Sequence, residues 1–134
     1  MDNTISGYIL SPVYYLDDFY AMDGMDSYDE SHAIDIIQKV IDFVMNIQFP
    51  LCVYRGINTT RKVENYEGAS WTTDKRVAEG FGNKIFTGLL SDRNSIDMEQ
   101  TIRARVMNLF EHEIYIPSFD VVKIIDITDK CDMV

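Results

Sequence analysis

Leu51-Cys-Val-Tyr-Arg-Gly56 is the stretch whose reading decides the fold. Its first four residues are apolar or aromatic, fit a buried strand, and deliver Arg55 and Gly56 at the strand's end. Pro50, just before it, closes the helix that the preceding residues predict. That helix runs to about Gln48, capped by Asp29 or Ser31. Ile34, Ile37, Ile41, Val44 and Met45 form its apolar stripe, with Asp35, Lys39, Asp42 and Asn46 facing outward. Ile5 to Tyr20 reads as irregular structure or a short strand, and Met22 to Glu30 as a polar loop.

Downstream of Gly56 the texture stays strand-like. Ala69 to Thr72 is a brief extended piece. Thr73 or Asp74 caps a short helix from Lys75 to Phe81, which Gly82 closes. Lys84 to Leu90 predicts a strand, and Met98 to Phe110 a helix. From Glu111 the period becomes two, so Glu111, Glu113 and Tyr115 share one side while His112, Ile114 and Ile116 share the other. Pro117 stops this strand, and Val121 to Ile127 makes the last one. A helix followed by strands implies an α+β domain rather than regular βαβ units. Residues 1–134 make one domain, with a helical or irregular part (1–50) and a β-rich core (51–127).

Composition narrows the function. The net charge is −10, and the first 38 residues hold eight acidic groups with no Lys or Arg. Such a body repels nucleic-acid phosphates, so nucleic acid is an unlikely partner. Five of the twelve basic residues (Arg55, Arg61, Lys62, Lys75 and Arg76) cluster mid-chain, where they can hold a small anion. No apolar run reaches the roughly 18 residues of a membrane span, which predicts no membrane partner. The opening Met-Asp-Asn-Thr lacks a basic, then apolar, leader, and Cys52 and Cys131 make no disulfide scaffold. These features predict a cytoplasmic protein. His32 and His112 belong to no ligand cluster, so no metal is expected.

Three pieces stand together: Val53-Tyr-Arg-Gly56, Ser70-Trp-Thr-Thr-Asp-Lys-Arg-Val-Ala-Glu-Gly-Phe81 and Glu111-His-Glu-Ile-Tyr-Ile-Pro117. In this order and spacing the chain, from about Leu51 to Ile127, resembles the Arg–Ser–Glu class of ADP-ribosyltransferases. The resemblance implies a split β-sandwich with an N-terminal helix, NAD as substrate, and transfer of ADP-ribose to a macromolecular acceptor. It places Glu113 at a ribose hydroxyl, where a carboxylate stabilises an oxocarbenium-like centre, and Glu111 at the incoming nucleophile. Arg55, beside Gly56 in the Tyr-Arg-Gly motif, is assigned to the pyrophosphate, which a guanidinium grips with two prongs. Ser70 carries over as a bracing hydroxyl and Thr72 as the second polar position. Trp71 stands where many members have threonine and is expected in the core.

Phe86 is an aromatic wall for nicotinamide on this reading, while Phe81 reads as core and only weakly as part of that surround. Glu-x-Glu in this class accompanies arginine acceptors, which makes protein arginine the first expectation. The segment before Glu111, Asp97 to Phe110, is helical and basic (Arg103 and Arg105) and departs from the usual loop. The length leaves no room for an accessory substrate-binding domain. It suits the small bacterial and phage members, for which a host cytoplasm would be the site of action.

Each motif alone has a plainer meaning: Arg-Gly as a turn, Ser-Trp-Thr as a cap with a buried indole, Glu-x-Glu as a solvated strand face. Two other functions use the same residues differently. One is an NAD glycohydrolase, with water as the acceptor. The other is a non-catalytic module whose acidic N-terminal surface blocks a basic partner.

Overall fold

A computed structural model of the chain describes residues 4–5, 8–57, 69–108 and 112–129. The first elements are a small antiparallel pair, β1 (Thr4–Ile5) and β2 (Tyr8–Ile9), and a 3-10 turn at Pro12–Tyr15. A short helix follows, α1 (Leu16–Ala21). It is a correction, because Ile5 to Tyr20 reads as irregular or extended. The aromatic residues there suggest a strand, but Tyr15 and Phe19, four apart, are both buried from one helical side. Asp17 and Asp18 occupy the first turn, where carboxylates suit the helix dipole.

The long helix is α2 (Glu30–Met45), and the Asp29 side chain accepts from the His32 amide at 2.7 Å. Its buried stripe is Ala33, Ile37, Val40, Ile41 and Val44. That differs from the expected stripe by admitting Ala33 and Val40, while Ile34 and Met45 are half-buried. The helix also stops short of Gln48, at Asn46, whose side-chain amide donates to the Asp42 carbonyl at 2.7 Å. Arg93 donates to the carbonyls of Val44 (3.2 Å) and Ile47 (2.9 Å), satisfying groups that a helix end leaves open.

The remaining elements are β3 (Leu51–Ile57), β4 (Ala69–Thr72), α3 (Lys75–Glu79), β5 (Lys84–Leu90), α4 (Met98–Met107), β6 (Glu113–Ile116) and β7 (Val122–Asp129). Five of them form an antiparallel sheet in the order β6-β4-β3-β5-β7. Mixed helix and sheet of this kind is an α+β arrangement.

Cross-strand partners share a face, so the register sorts the side chains. Val53, Ile57, Trp71, Phe86, Leu90, Ile114, Ile116 and Val122 are buried on one face. They join the α2 stripe, Phe19 and Tyr8 in a continuous hydrophobic cluster. Residues before and after position 50 therefore share one core. The opposite face carries Tyr54, Gly56, Ser70, Thr72, Ile85, Glu113 and Tyr115, and α3 lies on it. Among the described residues, no helix is long and apolar enough to cross a membrane.

Candidate functional site

The strands that carry the three motifs are neighbours, and a cleft of about 330 Å³ lies where they meet. Its lining includes Arg55 and Gly56 from β3, Ser70, Trp71 and Thr72 from β4, and Glu113 from β6. Tyr54, Val77, Ala78 and Phe81 complete the wall. Residues up to 59 positions apart in sequence, Tyr54 and Glu113, are thus within one concavity.

Pairing explains why a cleft opens here. β3 and β5 are in register over seven residue pairs, from Leu51↔Leu90 to Ile57↔Lys84. β3 and β4 share the single pair Tyr54↔Thr72 among the described residues. Residues of both parities line the cleft beside that rung. Ser70, Thr72 and Glu113 belong to the parity that faces α3, while Arg55, paired with Phe86, belongs to that of Val53 and Ile57. Arg55 nevertheless lines the cleft.

The roof is α3. A Cβ on Gly56 would overlap the Ala78 carbonyl, so only glycine lets the helix sit this close to β3. Thr72 Oγ1 accepts from the Asp74 amide at 3.1 Å, and the Asp74 side chain accepts from the Arg76 amide at 3.0 Å. These bonds start α3 and hold it over the strands. The Arg76 guanidinium, 3.2 Å from Asp74, keeps that carboxyl below its ordinary range. Within the wall, a hydrogen bond with the Cys52 side chain and burial together push the Tyr54 phenol above its ordinary value.

Several placements differ from expectation. Phe81 is not core: it is 56% exposed and borders the cleft. The α3 helix ends at Glu79, two residues early, and the turn through Gly80 swings the ring outward. Phe86 is buried in the core, edge-to-face with Phe119 at 5.9 Å, and is not among the cleft's lining residues. Trp71 is fully buried, as expected, against Phe119 at 5.6 Å. Its indole N–H has no hydrogen-bond partner among the described residues.

The strand expected from Glu111 begins at Glu113. His112 has φ 50°, a left-handed conformation uncommon outside glycine, and its carbonyl accepts from the Thr73 amide at 3.3 Å. The described strand thus starts two residues later than expected, and Glu111 lies outside the described residues. Arg61, Lys62 and Cys131 lie outside them too.

Behind Glu113, Arg105 on α4 donates from Nη1 to the Glu113 carbonyl at 3.1 Å. Its guanidinium carbon sits 3.9 Å from the centroid of the Phe43 ring. Burial pushes the Arg105 pKa down, and the Glu113 charge opposes that shift. Sequence reading notes Arg105 only as one of two basic residues on a helix. The missed signal is their spacing, since residues two apart on a helix point about 200° apart. Arg103 is exposed and Arg105 half-buried.

Among the described residues, no group of three or more His, Cys, Asp or Glu could hold a metal ion. No protein-family model, curated protein or solved structure matches the chain.

Proposed function

We propose that this cleft binds the nicotinamide-ribose end of NAD and that the chain transfers ADP-ribose to a macromolecular acceptor, within an ADP-ribosyltransferase-like split β-sandwich. The observation that carries the reading is convergence: Arg55, Ser70, Thr72 and Glu113, from three adjacent strands, line one concavity. A guanidinium, a hydroxyl and a carboxylate are the groups that a phosphorylated ribose calls for. The volume lies at the lower end for small-molecule sites, which suits one end of a dinucleotide.

In this mechanism Arg55 grips the pyrophosphate and Ser70, exposed on the cleft floor, hydrogen-bonds the ribose. Glu113 holds a ribose hydroxyl and stabilises positive charge as the C–N bond to nicotinamide breaks. The bonding electrons leave with nicotinamide. A lone pair of the acceptor forms the new bond to the ribose carbon, and Glu111 takes the acceptor's proton. Phe81 offers an exposed ring at the rim on which the nicotinamide can lie. A protein arginine is the first candidate acceptor.

Nicotinamide release from NAD, wild type beside Glu113→Gln, tests the reading. The variant is expected to be slower by at least about tenfold, or about 1.4 kcal/mol of transition-state stabilisation. Equal rates, or no release from wild type, would remove the cleft from NAD chemistry. Free ADP-ribose without a labelled acceptor would make water the acceptor and the chain a glycohydrolase.

A further inference from the structure

β6 is an edge strand, and its outward backbone groups are met by α4 rather than by another strand. The Asp97 amide donates to the Tyr115 carbonyl at 2.9 Å, and the Tyr115 amide donates to Thr101 Oγ1 at 3.0 Å. Arg105 completes the row at the Glu113 carbonyl. The three contacts are not alike. The first two meet backbone groups of Tyr115 with a backbone amide and a small hydroxyl. The third sends a charged side chain to the residue whose carboxylate lines the cleft.

A guanidinium is costly to bury, and a single carbonyl is a poor reason to do so. Capping the edge needs only a neutral donor. What a neutral donor would lack is the stacking on Phe43, which fixes the guanidinium plane, and the positive charge beside Glu113. The neighbouring His112 is in a left-handed conformation, so the strand does not continue back past Glu113; the backbone there is held on one side by the Thr73 amide, just beyond β4, and on the other by Arg105.

We propose that Arg105 is the positioning residue of the cleft: stacked on Phe43 and bonded to the Glu113 carbonyl, it fixes the backbone at the head of β6 and so the direction of the Glu113 carboxylate. The proposal rests on the NAD reading for its catalytic consequence, but not for its geometry. Arg105 touches no substrate; it acts through Glu113.

Two readouts test this on the full chain. The first is the side-chain rotamer of Glu113, from three-bond couplings to its Cγ in isotopically labelled protein. Wild type and Thr101→Val are expected to show a single rotamer, and Arg105→Gln an averaged one. Unchanged couplings in Arg105→Gln overturn the proposal, whether or not the chain consumes NAD.

The second readout is nicotinamide release. Arg105→Gln is expected to lose about ten- to a hundredfold in kcat with little change in KM, as misplacement of a catalytic group does. Arg105→Lys, which keeps the charge but not the planar stack, should recover part of it. Thr101→Val, which cuts the same edge two residues further along, should destabilise the fold yet keep kcat. If Thr101→Val and Arg105→Gln lose kcat alike, Arg105 is only an edge cap. A wild-type chain that releases no nicotinamide sinks the NAD reading, and the couplings then decide the positioning role alone.

Discussion

The two edges of the sheet meet solvent in opposite ways. At the β6 edge, α4 lies alongside and meets the Glu113 carbonyl and the Tyr115 amide and carbonyl with three hydrogen bonds. At the β7 edge, Lys123, Ile125, Asp126 and Ile127 are exposed along an eight-residue strand. That edge is protected by irregularity. The register slips between Thr87 and Gly88, whose partners are Asp126 and Ile124, and Ile125 is left as the extra residue of a bulge. Bulges and charges discourage further strand pairing without holding anything in place. The edge beside the cleft is clamped, and the far edge is merely guarded.

The largest expected contrast comes from Thr101→Val, which keeps shape but strips the acceptor from a partly buried amide. Its cost should be about 1–3 kcal/mol in denaturant unfolding. A cost near zero would mean that α4 lies beside β6 without clamping it. A smaller effect belongs to Glu99, in the first turn of α4. A hydrogen bond with Asp18, then burial, raises its pKa, since two facing carboxylates repel and a protonated one can donate to the other. For a raised carboxyl the stabilising contact is fully present below its unfolded value and lost as pH rises through its folded value. Glu99→Gln supplies a permanent donor and should stabilise the chain at neutral pH by up to about 1 kcal/mol. The gain should vanish in acid; thermal unfolding at two pH values would show it, and a pH-independent gain would contradict a link to the Glu99 carboxylate charge. The smallest effect is expected at the far edge. Ile127→Thr, on a side chain 53% exposed, should stay within about 0.5 kcal/mol of wild type. A larger loss would mean that this strand is covered after all.

Much of this was legible in the residues. Lys84–Leu90 lies where its apolar run predicts, and the polar residues Asp35, Lys39 and Asp42 fix the outer side of α2, where Lys39 pairs with Asp35 at 3.1 Å. The placement of Ser70, Thr72 and Glu113 on one face follows from period two, once the strands pair. What stayed hidden depends on contacts distant in sequence. Phe81 reads as core because it is aromatic, but its exposure is set by where α3 stops. Phe86 reads as an aromatic wall for nicotinamide, yet its strand parity matches Val53 and turns it toward Phe119. Arg105 looks like surface charge until the edge of β6 arrives beside it. The left-handed backbone at His112 has no local signal, since histidine carries no special licence for it beyond a mild tolerance.

Among the described residues, β3 and β4 share one rung, against four between β4 and β6 and seven between β3 and β5. The helix α3 touches both strands, so it ties them together beside the cleft where ladder bonds are fewest. A side chain added at position 56 would push on that tie through the Ala78 carbonyl before it disturbed the hydrophobic interior.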